Sequence, residues 1–188
     1  MILMTGFLPF RGRSENGSQL IAESFREERI DGEAVEVEIL PVLWHGHQER
    51  LQSAVKRCRP DLILSLGEGS ADWSRFERLA VNEAAGPDEE GRPPLSLKLD
   101  PEGPEERRSS FPFHPSDFPQ SRWPIRESED AGLYLCNATF FHSLGTGIPS
   151  VFLHLPILGE NEKGEYLEEL RQLVATVVRQ SRVGEQLA

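Results

Sequence analysis

Residues 61–66 (DLILSL) restrict the fold more than any other stretch of the chain. The run is nearly all apolar and follows Pro60, the composition of a central strand covered on both faces. What precedes it alternates between two periods. Residues 2–5 form a short apolar run ending in Gly6, a buried strand at the chain start. Residues 7–17, with their Gly, Pro, Arg and Asn, read as a loop. Ser18 is placed as a helix N-cap, followed by Leu20, Ile21, Ser24 and Phe25 at helical spacing. Residues 34–42 alternate Val and Ile with Glu, as a half-exposed strand does. Residues 47–57 put Leu51, Ala54 and Val55 on one helical face, and Pro60 stops that helix. This order predicts a mainly parallel sheet with helices on both sides, an α/β fold of three layers (α/β/α).

After Gly67 the pattern changes. Residues 75–82 set Phe76, Arg78 and Ala80 against Glu77, Leu79 and Val81, a strand with mixed faces. Residues 86–120 are rich in Pro, Gly and charge and predict a long excursion or partly ordered loop. A short strand is expected over 125–128, a helix over 133–144, an apolar strand over 150–155 and an amphipathic closing helix over 165–180. No repeat or linker divides the 188 residues, so 1–188 is expected to be one domain with a Pro-rich excursion at 86–124.

The formal net charge of −11 argues against a nucleic-acid binder, because phosphate contact needs clustered Lys and Arg. No apolar run approaches the roughly 20 residues that span a bilayer. The opening MILMTGF is too short for a signal core and has no basic segment before it. Two cysteines far apart fit a reducing compartment, so the expected location is the cytoplasm.

Three segments carry residue types that do chemistry. AGLYLCN places Cys136 near the start of a helix, where negative charge, and so thiolate, is favoured. Ser128 or Asp130 would cap that helix, and its free N–H groups would form an oxyanion hole. The charges of Glu129 and Asp130 would oppose a thiolate if either pointed at it. His154 lies one residue from the end of the strand VFLHLP, where α/β folds collect functional groups. Glu77 lies in a mixed strand, where a carboxylate can orient an imidazole. Each also has a plain structural alternative: a buried thiol, a satisfied core histidine, an ion pair of Glu77 with Arg75 or Arg78. Trp44, His45 and His47 suggest a metal site only superficially, since no further ligands are near in sequence. Cys58 ends an amphipathic helix and is expected to be inert.

The phrases MTGFLPF at 4–10, ERLAVN at 77–82, AGLYLCN at 131–137 and FLHLP at 152–156 together resemble those of the pyroglutamyl-peptidase I (pyrrolidone carboxyl peptidase) family. Asn16-Gly17-Ser18 and ILPV at 39–42 resemble family positions too, and the order agrees from residue 1 to about 156. The resemblance implies a cysteine exopeptidase on a phosphorylase/hydrolase-like α/β/α domain, with no metal and no cofactor, that removes N-terminal pyroglutamate or a related acyl group. Carried over residue by residue, Cys136 is the nucleophile, His154 the base and then acid, and Glu77 the orienting carboxylate. Phe7 and Phe10 would line a lactam pocket with Tyr134, Leu135 and Glu68 beside them. The implied partner is a peptide or acyl-amide substrate, with a homo-oligomer as a further possibility and no nucleic acid or membrane.

The chain also departs from the family. Glu68 stands where the family has Gln, and the Gly-Gly-Arg turn after it is missing. An Arg that helps stabilise the oxyanion is absent from 84–91 (AAGPDEEG). Losing one such donor typically costs on the order of a hundredfold in rate. Arg75 and Arg92 are the substitutes at hand. A buried Glu68 could donate a proton to the substrate carbonyl. Prolines at 112, 115, 119 and 124 interrupt a family helix, which is expected to shrink to about 116–121 or give way to loop, with Phe111, Phe113, Phe118 and Trp123 packing on the body or covering a partner surface rather than binding a cofactor. These departures keep open a second reading, a non-catalytic or regulatory relative that binds a small ligand or a protein partner.

Overall fold

The computed structural model describes residues 1–69, 72–112, 122–159 and 161–185. Its elements run β1 (Ile2–Phe7), α1 (Gly17–Glu23), β2 (Arg29–Ile30), β3 (Glu33–Leu40), α2 (His47–Cys58), β4 (Leu62–Glu68), β5 (Ser74–Glu77), β6 (Leu79–Val81), β7 (Glu106–Arg108), β8 (Ile125–Ser128), α3 (Leu135–Leu144), β9 (Ser150–Leu155) and α4 (Lys163–Glu185). The main sheet has the order β2-β3-β1-β4-β9-β5-β8. Strands β3, β1, β4 and β9 are parallel, β5 runs antiparallel to β9, and β8 is parallel to β5.

The alternation of side chains along the central strands builds the three layers. Ile2 and Met4 of β1, Leu64 and Leu66 of β4, and Leu153 and Leu155 of β9 face α1 and α4. Leu3, Phe7 and Phe152 face α2 and α3. In α4 the stripe Tyr166, Leu170, Leu173, Val174, Val177 and Val178 is buried, at the spacing of one helical face. No helix among the described residues is long and apolar enough to cross a membrane.

Three expectations need correction. The helix start assigned to Ser18 lies at Asn16, whose side chain accepts the Ser18 N–H at 2.9 Å. Ser18 is instead buried and accepts the Phe7 N–H, drawing β1 and α1 together. That approach requires Gly6, since a Cβ there would lie 2.5 Å from the Ser18 carbonyl oxygen. The single strand expected over 75–82 is two strands in different sheets. At Arg78 the backbone N–H bonds Ser128 of β8 while its carbonyl accepts from Ser109 beside β7, so the chain passes from the main sheet to a two-stranded ribbon. The excursion is therefore ordered in part, with β7 paired to β6 and Asn82 bonded to the backbone of Asp100. Phe111 and Trp123 are buried in the core as expected, whereas 113–121, with Phe113, Phe118 and the shortened helix, lie outside the described residues.

The third correction concerns α3, which starts at Leu135 rather than at a cap on Ser128 or Asp130. Those two side chains close successive turns instead, Ser128 accepting from the Asp130 N–H and Asp130 from the Gly132 N–H. Gly132 follows at φ 77°, so the chain cannot be helical before Leu133.

Candidate active site

Cys136 is the second residue of α3, and the N-cap residue Tyr134 offers its helix no side-chain acceptor. The first backbone N–H groups of α3 therefore stay available beside the thiol. Neither neighbouring acid interferes: Glu129 is paired with Arg108 at 2.7 Å, and Asp130 is turned into its own loop. Beneath the sulfur runs β4. A Cβ on Gly67 would stand 3.1 Å from Sγ, so the missing side chain is what lets the Cys136 sulfur sit against the sheet.

His154 pairs in register with Gly67 across β9 and β4. It is buried, and its Nδ1 lies 2.6 Å from Oε1 of Glu77, which is fully enclosed. The Cys136 thiol is the other partner of the ring. Burial alone would lower the imidazole pKa. The charge and hydrogen bond of Cys136, and then those of Glu77, outweigh it and raise the value from 6.5 to about 9. The three side chains nominated from sequence are thus brought together from α3, β9 and β5.

Phe7, Phe10, Glu68, Tyr134 and Leu135 line one small cleft of about 30 Å³ together with Cys136. Two further lining residues, Asn16 and Val42, were read from sequence only as parts of family-like phrases and not as lining. Asn16 was detectable as a capping residue between the loop and the apolar positions of α1. Its side chain holds both Ser18 and the Leu8 carbonyl, so it is fixed as well as buried. Three larger cavities, of about 340 Å³ between α1 and α4, about 450 Å³ at the opposite end of the sheet and about 180 Å³ beside α2 and α3, are lined by none of Glu77, Cys136 and His154. The small cleft is the candidate site because Cys136 lines it.

Glu68 lines the cleft but is not placed as a proton donor. Its Oε1 accepts from Arg13 at 2.7 Å and its Oε2 from the Gly17 N–H at 2.9 Å. Of the two substitute arginines, Arg92 is committed to Asp88 and Glu90. Arg75 lies beside the triad, its Nε 3.5 Å from Glu77 Oε1. Segment 84–92 is organised by Asp88. Its carboxylate takes backbone N–H groups of Trp44, Glu90 and Arg92, and these bonds outweigh burial and lower its pKa. Trp44 in turn packs edge-on against Tyr134. Among the described residues His47 is in no cluster of three or more His, Cys, Asp or Glu side chains that could hold a metal ion. It is buried between the Pro41 carbonyl and Thr139, and burial lowers its pKa to about 4.

A family model described as pyroglutamyl peptidase matches residues 1–171. The chain belongs to the pyroglutamyl peptidase family. It is 34% identical over 169 residues to the pyrrolidone-carboxylate peptidase of Gloeobacter violaceus, covering 85% of this chain and 82% of that one. The corresponding protein of Oceanobacillus iheyensis is 32% identical over 166 residues, with 82% and 83% covered. A mutant pyrrolidone carboxyl peptidase from Pyrococcus furiosus superposes with a TM-score of 0.82 at 26% identity, covering 100% of this chain and 99% of the other.

Local packing at the start of α3 centres on Asn137, the residue after Cys136. It is fully buried and clamps α3 to β6, accepting the Val81 N–H at 2.9 Å and donating to the carbonyls of Val81 and Glu83. Asn137→Ala strands three backbone groups at once. It is expected to cost about 2–4 kcal/mol of unfolding free energy, measurable by urea denaturation. A loss under about 0.5 kcal/mol would show that the clamp does not hold α3.

Proposed function

We propose that this protein is a cysteine exopeptidase that removes N-terminal pyroglutamate from peptides through Cys136, His154 and Glu77. The observation that carries the reading is the meeting of a helix-start thiol, a buried Glu–His pair and a mostly apolar cleft at one point. A neutral lactam suits such a cleft, with Asn16 and backbone groups to read its amide. The volume given above holds about two waters, so half-buried Phe10 and Tyr134 must shift to admit the ring.

In the proposed reaction the Cys136 thiolate attacks the pyroglutamyl carbonyl carbon, and the C=O electron pair moves to oxygen. The backbone N–H groups at the start of α3 hold that oxyanion, in place of the missing arginine. As the tetrahedral intermediate collapses, the His154 imidazolium gives its proton to the leaving nitrogen and the C–N bond breaks. The thioester is then hydrolysed by water, whose proton His154 accepts, and pyroglutamate and the thiol are released. Glu77 keeps Nδ1 protonated and so keeps Nε2 facing the sulfur. Cytoplasm is the proposed location, in keeping with the free thiols Cys58 and Cys136.

The test is turnover of a fluorogenic pyroglutamyl amide by the protein and its Cys136→Ala variant, with iodoacetamide titration of the thiol. The variant is expected to lose at least about 10⁴-fold in kcat, and alkylation is expected to be faster than for a free cysteine. Turnover that survives Cys136→Ala would overturn the mechanism. No turnover, combined with slow alkylation, would favour the ligand-binding relative that the missing arginine keeps in view.

A further inference from the structure

The strand registers place four residues in a row across the sheet. Gly67 of β4 pairs with His154 of β9, His154 with Arg75 of β5, and Arg75 with Arg126 of β8. Registered partners on neighbouring strands share a face, and Arg75 shares its face with Glu77, two residues along. The row therefore runs from beneath the nucleophile, past the imidazole, to two adjacent arginines. The acyl cleft, with Phe7 of β1 and Glu68 of β4, lies on the other side of Cys136. A substrate with its lactam in that cleft extends its leaving portion across β9 toward β5 and β8.

Among the described residues neither arginine has a carboxylate to itself. Arg75 is ion-paired with Oε1 of Glu77, which His154 also holds, and its buried Nε has no hydrogen bond. Arg126 is exposed, lies 4.3 Å above the Trp73 ring, and has no ion pair among the described residues. Like charges directly opposite on neighbouring strands are destabilising. In a chain with 31 acidic and 20 basic residues, carboxylates to relieve the pair are plentiful. The neighbouring Glu127 is instead spent on Arg78, at 2.7 Å.

We propose that Arg75 and Arg126 form a leaving-group subsite that receives a carboxylate within the first two residues after the scissile bond. The inference rests on the pyroglutamyl-peptidase reading and deepens it by naming the substrate class, short or acidic pyroglutamyl peptides. Guanidinium forks match carboxylates. Strands lie about 4.8 Å apart and an extended peptide advances about 3.3 Å per residue, so counted from His154 the second leaving residue, about 6.6 Å out, falls between Arg75 at about 4.8 Å and Arg126 at about 9.6 Å, within reach of either long side chain.

The experiment compares pyroglutamyl-alanine as free acid and as C-terminal amide, and pyroglutamyl-glutamate amide against pyroglutamyl-alanine amide. The first pair reads a terminal carboxylate, the second an acidic side chain. The carboxylate-bearing member of at least one pair is expected to be favoured about tenfold in kcat/KM, mostly through KM. Arg126→Gln should reduce that ratio, Arg75→Gln with Arg126→Gln should bring it to about one, and Arg126→Lys should keep most of it. The same ratio is to be read as Kd on Cys136→Ala protein by calorimetry, which needs no turnover. Ratios near one in both pairs, a ratio unmoved by the double substitution, or no binding of any peptide would overturn the subsite. Hydrolysis of the fluorogenic amide alongside ratios near one would leave the peptidase reading intact and sink only this one.

Discussion

Glu77→Gln is expected to lower kcat by about 10³- to 10⁴-fold and to move the alkaline limb of the pH–rate profile downward. The carboxylate is fully enclosed, and its Oε1 lies 2.6 Å from His154 Nδ1. An amide keeps the shape and removes the charge. Burial lowers the His154 pKa, while Cys136 and then Glu77 raise it, to about 9 in sum. Taking away the Glu77 charge removes one raising contribution. It also leaves Arg75, 3.5 Å from the same oxygen, facing the imidazolium without a counter-charge. Both changes lower the pKa. In the proposed mechanism the competent pair is thiolate with imidazolium, so activity is expected to be lost at lower pH.

The sign carries over to stability. A histidine whose folded pKa stands above its unfolded value of 6.5 stabilises fully below pH 6.5 and loses that contribution as pH rises through about 9. Glu77→Gln should flatten the fall in melting temperature across that window. An alkaline limb that stayed in place or moved upward would show that Glu77 does not act on His154 through its charge.

What could be read from sequence follows from which forces are local. The run at 61–66 announced a doubly covered strand because burial on both faces demands continuous apolar character. The helices α2 and α4 were legible from the 3.6-residue period of their buried stripes. The division of 75–82 was not, because it depends on the backbone partners that Ser128 and Ser109 bring to Arg78 from distant parts of the chain. The start of α3 was missed for a related reason. Ser128 and Asp130 are good caps by type, and only the left-handed turn at Gly132 makes them loop residues. Periodicity could not have joined Glu77, Cys136 and His154 either, since strand order places them together and pattern is blind to it. The resemblance of whole phrases supplied that link, whereas the arginine row came from register alone.

Gly67→Ala is expected to cut kcat/KM by at least about 100-fold, an effect that isolates how the nucleophile is seated. The added methyl would lie 2.9 Å from two ring atoms of Phe152 and 3.1 Å from Cys136 Sγ, so something must move. Phe152 has nowhere to go. It is fully buried between Phe140, at 5.8 Å between ring centres, and the His154 ring, at 4.9 Å. Pushing Phe152 turns the imidazole, and pushing the thiol lifts it off the sheet. Either way the sulfur and Nε2 lose their alignment, while overpacking costs about 1–3 kcal/mol of stability. Iodoacetamide reactivity of Cys136 should fall with kcat/KM, since both depend on the same pair. Adding Phe152→Leu to Gly67→Ala should restore part of both by making room under the methyl. A single variant within fivefold of the parent enzyme would show that the thiol does not rest against β4. A double variant no better than the single would place the obstruction at the sulfur itself rather than at the ring.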